Sequence, residues 1–205
     1  MNHVESAYSI SVVLLAAGQS VRMGKHNKLL LPFRNATILE ATLSAFLSVK
    51  FSEIVIVLGH EADTLISILQ KYPVKTVVNE DYRFGMGTSL ATGVAATAVD
   101  TQGILICPGD LPLLTSDTVK LLCEVFLEHQ PPLIVYPTYQ NRQGHPVIFS
   151  AEFRPELQKL SGDRGAKGII RQNQERCVAV EVTDDGILFD LDTEEKYQEL
   201  LKRRG

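Results

Sequence analysis

Short apolar runs alternate with longer stretches of helical period along most of the chain. The apolar runs have strand length and are rich in β-branched residues, and they predict strands at 10–15, 54–58, 74–78, 104–107 and 133–136. Apolar positions at helical spacing predict helices at 37–49, 63–71, 86–99, 116–128, 151–159, 166–173 and 194–203. This alternation is typical of a sheet of mostly parallel strands that is covered by helices on both faces.

The alternation changes after Pro137. Residues 139–144 are typical of a turn, and the short apolar run at 146–149 follows them, so we expect an antiparallel excursion at about 138–150. The sequence Asp184-Asp185-Gly186 separates apolar runs at 178–182 and 187–189 and predicts a β-hairpin there. We therefore expect one α/β domain over residues 1–205, folded as a three-layer α/β/α Rossmann-like sandwich around a mostly parallel mixed sheet.

Composition and charge narrow the classes of protein. The chain has 205 residues, of which 45% are hydrophobic and 21% are charged, and its formal net charge is −4. These values exclude a disordered or fibrous protein. A mildly acidic chain lacks the positive field that holds nucleic acid or an anionic membrane, so we expect neither as a partner.

Cysteine usage and the N-terminal residues indicate a compartment. Cys107, Cys123 and Cys177 are an odd number without Cys-x-x-Cys spacing, which excludes a disulfide framework and a cysteine zinc cluster and favours a reducing environment. The first nine residues are polar and include Glu5, unlike a signal peptide. The apolar run at 12–17 is too short to span a bilayer. We therefore expect a cytoplasmic protein.

The loop after the first predicted strand carries the strongest signal for chemistry, because ligands of doubly wound sheets bind beyond the carboxyl ends of the strands. Within eleven residues it holds two glycines, a serine and three cations, which are Gly18, Ser20, Arg22, Gly24, Lys25 and Lys28. Glycines let backbone N–H groups approach an anion and the cations neutralise it, so the loop predicts a phosphate cradle. The alternative is a flexible surface turn with solvated lysines.

Two familiar phosphate motifs are absent from this loop. Five residues separate Gly18 from Gly24, and His26 follows Lys25, which excludes a P-loop. Ser20 stands where the dinucleotide fingerprint requires its second glycine. Arg22 and Lys28 must therefore neutralise the phosphates in some other arrangement.

Carboxylates follow two predicted strands. Asp110 lies in Pro-Gly-Asp-Leu-Pro after the fourth strand, and Asp192 lies in Asp-Leu-Asp-Thr after the last apolar run. Mg²⁺ is held by one or two carboxylates together with substrate phosphates and water, so both residues are candidate metal ligands. The alternatives are helix capping by Asp110, a role that Ser116 fills better, and N-capping of the last helix by the segment around Asp192.

Other loops carry weaker signals. Asn79 and the segment 85–89, which includes Ser89, follow the third strand and could contact a base or a ribose, although on their own a loop and a helix start explain them better. The turns at 144–146 and 162–166 indicate no chemistry by their spacing. No Ser-His-Asp order or Gly-x-Ser-x-Gly elbow is present. Cys107 and Cys123 lie in apolar elements and make poor nucleophiles.

Six blocks in this order resemble the nucleotidyltransferases of the molybdenum-cofactor family, in particular its cytidylyltransferase branch. They are LAAGQSVRMG with NKLLLP, NEDYRFGMGTSL, PGDLPLLT, RQGHPVIF, GDRGAKGII and DLDTEEKY, and they span 12–197. The resemblance implies a fold of the nucleotide-diphospho-sugar transferase type. It also implies a reaction in which a phosphorylated acceptor attacks the α-phosphate of a nucleoside triphosphate and pyrophosphate leaves.

The resemblance implies roles for individual residues. The catalytic residues would be Lys28, Arg22 and Asp110. The metal, Mg²⁺ or Mn²⁺ in its place, would be bound by Asp110 and Asp192. Acceptor binding would involve His145, Asp163 and Arg164. The nucleotide would contact Leu15, Ala16, Ala17, Gly18, Gln19, Ser20, Arg22, Lys28, Asn79, Ser89, Gly109 and Asp110. Three residues separate Gly24 from Lys28 where many relatives have two, so Lys25 is a second candidate for the lysine, but the following Leu-Leu-Leu-Pro run favours Lys28.

Leu-Ala-Ala-Gly, rather than Leu-Ala-Gly-Gly, resembles the members that use CTP. The expected function is therefore transfer of CMP to molybdenum-molybdopterin, which gives the cytosine dinucleotide cofactor. Relatives in purine catabolism imply an apo molybdenum hydroxylase of the xanthine dehydrogenase type as a further partner. The alternatives are a GTP-using guanylyltransferase, another small phosphate-acceptor nucleotidyltransferase, and a non-catalytic pterin-cofactor chaperone. The GHP and GDRGA blocks argue against another small phosphate-acceptor nucleotidyltransferase. The retained loop cations and aspartates argue against a non-catalytic chaperone.

Overall fold

The structure, a computed structural model, describes residues 8–20, 23 and 27–203, apart from the side chain of Arg164. Its strands are β1 (Tyr8–Ala16), β2 (Pro32–Phe33), β3 (Ala36–Thr37), β4 (Phe51–Leu58), β5 (Lys75–Val78), β6 (Gly103–Pro108), β7 (Ile134–Tyr139), β8 (Arg142–Gln143), β9 (Val147–Ser150) and β10 (Cys177–Glu181). Its α-helices are α1 (Ile38–Leu47), α2 (Ala62–Leu69), α3 (Met86–Ala96), α4 (Ser116–Glu128), α5 (Arg154–Leu157), α6 (Lys167–Gln172) and α7 (Glu194–Lys202).

The central sheet is mixed and mostly parallel, as predicted. Its strand order is β10-β7-β9-β6-β1-β4-β5, with β8 paired to β7 and the hairpin of β2 and β3 separate. The pairs of β1 with β4 and β6, of β4 with β5 and of β7 with β10 are parallel. In contrast, β9 runs antiparallel to both β6 and β7. The amino end of β9 therefore lies at the edge where the parallel strands have their carboxyl ends.

Helices cover both faces of the sheet and complete the three layers. In β1, Val12 and Leu14 pack with residues of α1, α2 and α4 on one face, whereas Val13 packs with α3, α5 and α6 on the other. Successive side chains of a strand point to opposite faces, so a strand in the middle layer must be apolar at every position. The apolar run of β1 is uninterrupted because both faces of the strand are buried.

A third apolar cluster joins the C-terminal helix to the segment that follows the first loop. It consists of Met23, Phe33, Ile38, Phe189, Leu191, Tyr197 and Leu200. The hydroxyl of Tyr197 also donates a hydrogen bond to the carbonyl oxygen of Pro32 at 2.8 Å. These contacts hold α7, and the residues just before it, against the hairpin of β2 and β3.

The predicted hairpin at 184–186 is wrong. Residues Asp185–Leu188 form a 3-10 helix rather than a strand. One carboxylate oxygen of Asp184 accepts from the N–H of Gly186 at 2.9 Å, and the other accepts from the N–H and hydroxyl of Thr115 at 3.0 and 2.7 Å. This network ties the turn to the start of α4. The same start is capped by Thr115, whose hydroxyl accepts from the N–H of Thr118, and not by Ser116 as predicted.

A capping box fixes the start of α1. The Thr37 hydroxyl accepts from the N–H of Glu40, and the carboxylate of Glu40 accepts from the N–H of Thr37. Glu40 also accepts from the hydroxyl of Tyr72 at 3.0 Å and pairs with Lys71 at 2.7 Å. Burial favours the neutral acid, but these donors outweigh it and lower the pKa of Glu40 from 4.5 to about 2.

Among the residues that the structure describes, no helix has the length and apolar character needed to cross a membrane.

We predict that Glu40→Gln lowers the free energy of unfolding by about 1–3 kcal/mol at neutral pH, because the donors around Glu40 then meet a neutral amide. The folded-state pKa of Glu40 lies below its ordinary value, so its contribution is complete above about pH 4.5 and is lost as the pH falls toward 2. Urea unfolding at a series of pH values should show the two proteins converging in acid. Glu128→Gln, at an exposed position, is the control. A stability difference that stays constant with pH would contradict the assignment.

Candidate active site

The candidate site lies where β1 and β6 end side by side. These strands are parallel neighbours, with Leu15 opposite Pro108. The N–H of Gly109 donates to the carbonyl oxygen of Leu15 at 2.8 Å, and a Cβ at Gly109 would lie 3.0 Å from that same oxygen. The loop that holds Gly18 and the loop that holds Asp110 therefore leave the same edge of the sheet in close contact.

Lys28 joins the two predicted metal carboxylates. Its Nζ lies 2.5 Å from Oδ2 of Asp110 and 3.0 Å from Oδ1 of Asp192. The exposed fractions of the three side chains are 18% for Lys28, 8% for Asp110 and 23% for Asp192. The N–H of Leu191 donates to the carbonyl oxygen of Asp110 at 3.1 Å, which fixes the second carboxylate beside the first. Three residues that are far apart in the sequence thus form one sheltered cluster.

The first loop folds back on itself to place Lys28. The backbone N–H of Lys28 donates to the hydroxyl of Ser20 at 3.1 Å, and the N–H of Met23 donates to the carbonyl oxygen of Ser20 at 2.8 Å. Ser20 has a φ of 54°, in the left-handed region that reverses the chain. Asn27 caps the short 3-10 helix Lys28–Leu30 by accepting from the N–H of Leu29. Ser20, predicted as a nucleotide contact, also supports the lysine.

The charged groups of this cluster shift one another's pKa. Burial alone would lower the pKa of Lys28, but Asp110 and Asp192 raise it above its ordinary value. Burial raises the pKa of Asp110, Lys28 opposes the change, and the carboxylates of Asp192 and Asp190 add to it. In the contacts that the structure describes, the carboxylates of Asp110 and Asp192 share the ammonium of Lys28.

The donor set fits a divalent metal that is shared with a substrate. Asp110 and Asp192 supply oxygen ligands, which Mg²⁺ and Mn²⁺ prefer. In the part of the chain that the structure describes, no group of three or more His, Cys, Asp or Glu side chains is placed to hold a metal. Mg²⁺ usually completes its coordination with water and substrate phosphates, so two carboxylates are sufficient.

Asp190 belongs to a different ion pair. Its Oδ1 lies 2.7 Å from Nζ of Lys196, and the same ammonium donates to the Asp190 carbonyl oxygen at 2.8 Å. The Asp190 side chain is 46% exposed. Of the two aspartates before α7, only Asp192 contacts Lys28 among the described contacts.

The backbone after β1 is open where a phosphate cradle was predicted. Leu15 and Ala16 complete β1, and the carbonyl oxygen of Ala17 accepts from the N–H of His60 at 3.2 Å. Gly18 and Gln19 are exposed, and no atom of the described residues lies within 4 Å of the position that a Cβ would take at Gly18. Their contact with a nucleotide remains a prediction.

Two predicted contributors to this loop, Arg22 and Lys25, lie outside the described residues.

Asn79 and Ser89 meet at the start of α3. The buried amide of Asn79 donates to the hydroxyls of Thr88 and Ser89 at 2.9 and 3.0 Å, and its carbonyl oxygen accepts from the N–H of Asp81. These bonds brace the turn that leads from β5 into α3. The predicted contacts of Asn79 and Ser89 with a nucleotide remain predictions.

The predicted acceptor residues lie at the same edge of the sheet. His145 comes just before β9, whose amino end lies beside the carboxyl end of β6. Asp163 is in the 3-10 helix Gly162–Arg164, which packs on the start of α3: a Cβ at Gly85 would lie 2.5 Å from Oδ1 of Asp163. Gly85 has a φ of +106°, which only glycine adopts readily. The acceptor roles of His145, Asp163 and Arg164 remain predictions.

Two supporting residues were missed from the sequence. Tyr197 holds α7 in place by donating a hydrogen bond to the carbonyl oxygen of Pro32, and Lys196 donates a hydrogen bond to the carboxylate of Asp190. The signal available for Tyr197 was an aromatic residue at helical spacing from Leu200 and Leu201 on an otherwise polar helix. The sequence held no comparable signal for Lys196, because its partner depends on how the chain before α7 turns.

The sheet is doubly wound and mostly parallel, and it places a lysine and two carboxylates beyond its carboxyl edge. This arrangement is that of α/β transferases that act on the phosphates of a nucleotide.

The chain belongs to the MobA-like NTP transferase domain family, whose model matches residues 12–177. It is a nucleotidyltransferase. The expected family resemblance and fold class are thereby confirmed. Asp192 lies beyond the matched segment, so its place in the cluster comes from the structure alone.

Relatives are similar to this chain over nearly their whole length. Nicotine blue oxidoreductase of Paenarthrobacter nicotinovorans is 34% identical, covering 94% of this chain and 96% of its own. The purine catabolism protein PucB of Bacillus subtilis (strain 168) is 32% identical over 95% and 96%. The molybdenum cofactor cytidylyltransferase of Escherichia coli (strain K12) is 26% identical over 92% and 94%.

Solved structures agree in fold. The crystal structure of Rv0371c from Mycobacterium tuberculosis H37Rv has a TM-score of 0.83 and 31% identity, covering 96% of this chain and 99% of that one. The complex of Rv0371c with manganese has a TM-score of 0.80 and 29% identity over 96% and 100%.

We predict that Asp192→Asn weakens Mn²⁺ binding in the presence of CTP by about tenfold or more, because the variant loses one anionic oxygen ligand. Asp190→Asn is the matched control, since it lies two residues away on the same segment but pairs with Lys196. Electron paramagnetic resonance of free Mn²⁺ measures both. Equal weakening in the two variants would contradict the assignment of Asp192.

Proposed function

We propose that this protein transfers CMP from CTP to molybdenum-molybdopterin in a Mg²⁺-dependent reaction, giving the cytosine dinucleotide cofactor and pyrophosphate. The observation that carries this proposal is the cluster of Lys28, Asp110 and Asp192 at the carboxyl edge of the sheet. The molybdenum cofactor cytidylyltransferase and the purine catabolism protein among its relatives support the substrate and the pathway. The Leu-Ala-Ala-Gly sequence of the first loop supports CTP over GTP.

Lys28 is suited to act on the triphosphate. A lysine ammonium has three donors, and the contacts with Asp110 and Asp192 use two of them. One donor therefore remains for a phosphate oxygen. The exposed backbone at Gly18 and Gln19 would contribute N–H groups to the same phosphates. In the proposal Arg22 adds a second positive charge to this loop.

Asp110 and Asp192 would hold a divalent metal, which supplies charge neutralisation and alignment of the phosphates when bound. The manganese complex of a structural relative supports a metal of this class. The backbone carbonyl of Asp110 accepts from the N–H of Leu191, which ties the backbone of Asp110 to the segment that carries Asp192.

The chemical step needs no covalent intermediate with the protein. A phosphate oxygen of the acceptor forms a bond to the α-phosphorus of CTP, the bond between the α-phosphorus and the bridging oxygen breaks, and pyrophosphate leaves. The attacking phosphate is already anionic and requires no base. Negative charge that builds on the α-phosphate oxygens is stabilised by the fixed ammonium of Lys28. His145 and the segment around Asp163 would orient the acceptor.

The proposal extends to the setting of the reaction. The whole chain, 1–205, acts as one domain, and a molybdenum hydroxylase of the xanthine dehydrogenase type receives the product. A cytoplasmic location suits both the nucleotide substrate and the free thiols of Cys107, Cys123 and Cys177.

A second candidate, oxidoreduction, is favoured by the name of the relative from Paenarthrobacter nicotinovorans. The lysine and carboxylates at the site favour phosphoryl chemistry instead.

The deciding experiment is to incubate the pure protein with Mg²⁺, molybdenum-loaded molybdopterin and each of the four NTPs, and to measure pyrophosphate. We expect release with CTP. Release of pyrophosphate with GTP alone would mean that the protein transfers GMP rather than CMP. No release of pyrophosphate with any NTP would overturn the proposal.

We predict that Lys28→Ala reduces kcat about 100- to 1,000-fold, or roughly 3–4 kcal/mol, with a smaller change in the KM for CTP. An interaction that strengthens in the transition state acts on kcat, whereas uniform binding acts on KM. Lys25→Ala should reduce kcat far less, because Lys25 is predicted to be a solvated loop charge. Steady-state kinetics of both variants provide the test. The reverse order of effects would make Lys25 the catalytic lysine.

A further inference from the structure

A lysine on α7 binds the aspartate next to the candidate metal ligand. Nζ of Lys196 lies 2.7 Å from Oδ1 of Asp190, and it donates to the carbonyl oxygen of the same residue at 2.8 Å. One ammonium therefore holds both the side chain and the backbone of Asp190. Neither residue has a part in the proposed reaction, so this double contact needs an explanation of its own.

The backbone of Asp190 lies close to the carboxylate cluster. The N–H of Leu191, the next residue, donates to the carbonyl oxygen of Asp110 at 3.1 Å. Leu191 is buried in the third apolar cluster, whereas Asp190 and Asp192 on either side of it are partly exposed. The two aspartates therefore share the side of the chain that Leu191 does not occupy.

The spacing of these two aspartates suits a shared cation. Carboxylates two residues apart are able to bind one ion together, as at the first and third positions of the calcium loop of EF-hand proteins. Asp190 and Asp192 have this spacing. Without a competing partner, Asp190 would be a third carboxylate for the metal that Asp110 and Asp192 hold in the proposed function.

The competing partner is fixed on a helix. The backbone N–H of Lys196 donates to the hydroxyl of Thr193, the N-cap of α7, at 3.3 Å. The next residue, Tyr197, is buried and bonded to the carbonyl oxygen of Pro32. The ammonium of Lys196 therefore reaches Asp190 from the first turn of a helix whose position is set by its packing.

We propose that Lys196 is a positioning residue that keeps the carboxylate of Asp190 off the metal, so that the protein supplies two carboxylate ligands. This inference rests on the proposed function, in which Asp110 and Asp192 hold a divalent metal. Mg²⁺ bound by one or two carboxylates keeps positions for water and for substrate phosphates. A third carboxylate would fill one of these positions and bind the metal more tightly before the nucleotide arrives. Lys196 thereby makes tight metal binding depend on the triphosphate.

The test is Mn²⁺ binding to the nucleotide-free protein. Electron paramagnetic resonance of free Mn²⁺ gives the affinity, and relaxation of water protons gives the number of water molecules on the bound ion. Lys196→Met should bind Mn²⁺ about tenfold or more tightly than the wild type, with about one water fewer on the ion, because Asp190 becomes a ligand. Addition of CTP should then improve the affinity less in this variant than in the wild type.

Further variants separate the release of Asp190 from the loss of a positive charge. In Lys196→Met/Asp190→Asn the affinity and the water number should return to the wild-type values. Arg203→Met removes a cation on the same helix that pairs with Asp185 and Glu199, and it should leave the water number unchanged. Thermal unfolding shows whether each variant is folded, and Lys196→Gln takes the place of Lys196→Met if that variant is not.

Two results would overturn the proposal. One is wild-type Mn²⁺ affinity in Lys196→Met, and the other is tighter binding with the wild-type water number, which is the effect of charge alone. The Mn²⁺ titrations without nucleotide need no turnover, so absence of pyrophosphate release in the wild type refutes the proposed transfer and leaves the role of Lys196 to be decided by them. Absence of Mn²⁺ binding in both the wild type and Lys196→Met also overturns the proposal, because three carboxylates would hold the ion.

Discussion

The ammonium of Lys28 is the interaction on which the site depends, because it holds two carboxylates that would otherwise repel. Two like charges a few ångströms apart cost about 4 kcal/mol at an effective dielectric constant of about 20. Asp110 comes from the end of a central strand, and Asp192 from the chain just before α7. With Lys28 between them, a sheltered pocket of charge exists before any substrate arrives. In the proposed function the two carboxylates of this pocket also hold the metal.

Support for this cluster comes from the apolar packing of α7. Tyr197 and Leu200 pack with Phe33 and Met23, and the Tyr197 hydroxyl reaches Pro32. The segment that carries Asp192 is therefore joined to the stretch of chain that continues from Lys28. Packing far from the reacting atoms sets the separation of the charges. A charged helix at the end of the chain is in this way part of the site.

The fold was largely predictable because its signals are local. The uncharged run of β1 follows from burial on both faces, and the capping box of Thr37 and Glu40 fixes the start of α1. The hairpin at Asp184 was mispredicted because the carboxylate of Asp184 bonds to Thr115, a partner 69 residues away. Turn residues indicate that the chain reverses, but tertiary contacts decide whether a strand or a helix comes after the turn.

The site was predictable to the level of its charged residues. Asp110 and Asp192 stand out because each follows a predicted strand, and Lys28 stands out because it lies in the glycine-containing loop after the first strand. Their mutual contact could not be predicted, since the partners of Lys28 lie 82 and 164 positions further along the chain. The choice of Asp192 over Asp190 depends on Lys196, and the place of His145 depends on the direction of β9. These are properties of the assembled sheet.

The reversed strand β9 divides the edge of the sheet into two halves of different origin. On one side, loops that follow parallel strands carry Gly18 and Asp110; on the other, a turn that enters an antiparallel strand carries His145. The two halves meet at the pair of β6 and β9 but are built from separate stretches of chain. Mutations can therefore alter one half while the other keeps its backbone. In the proposed function, the half that carries His145 binds the acceptor, so divergence toward new acceptors would leave the half that binds the nucleotide unchanged.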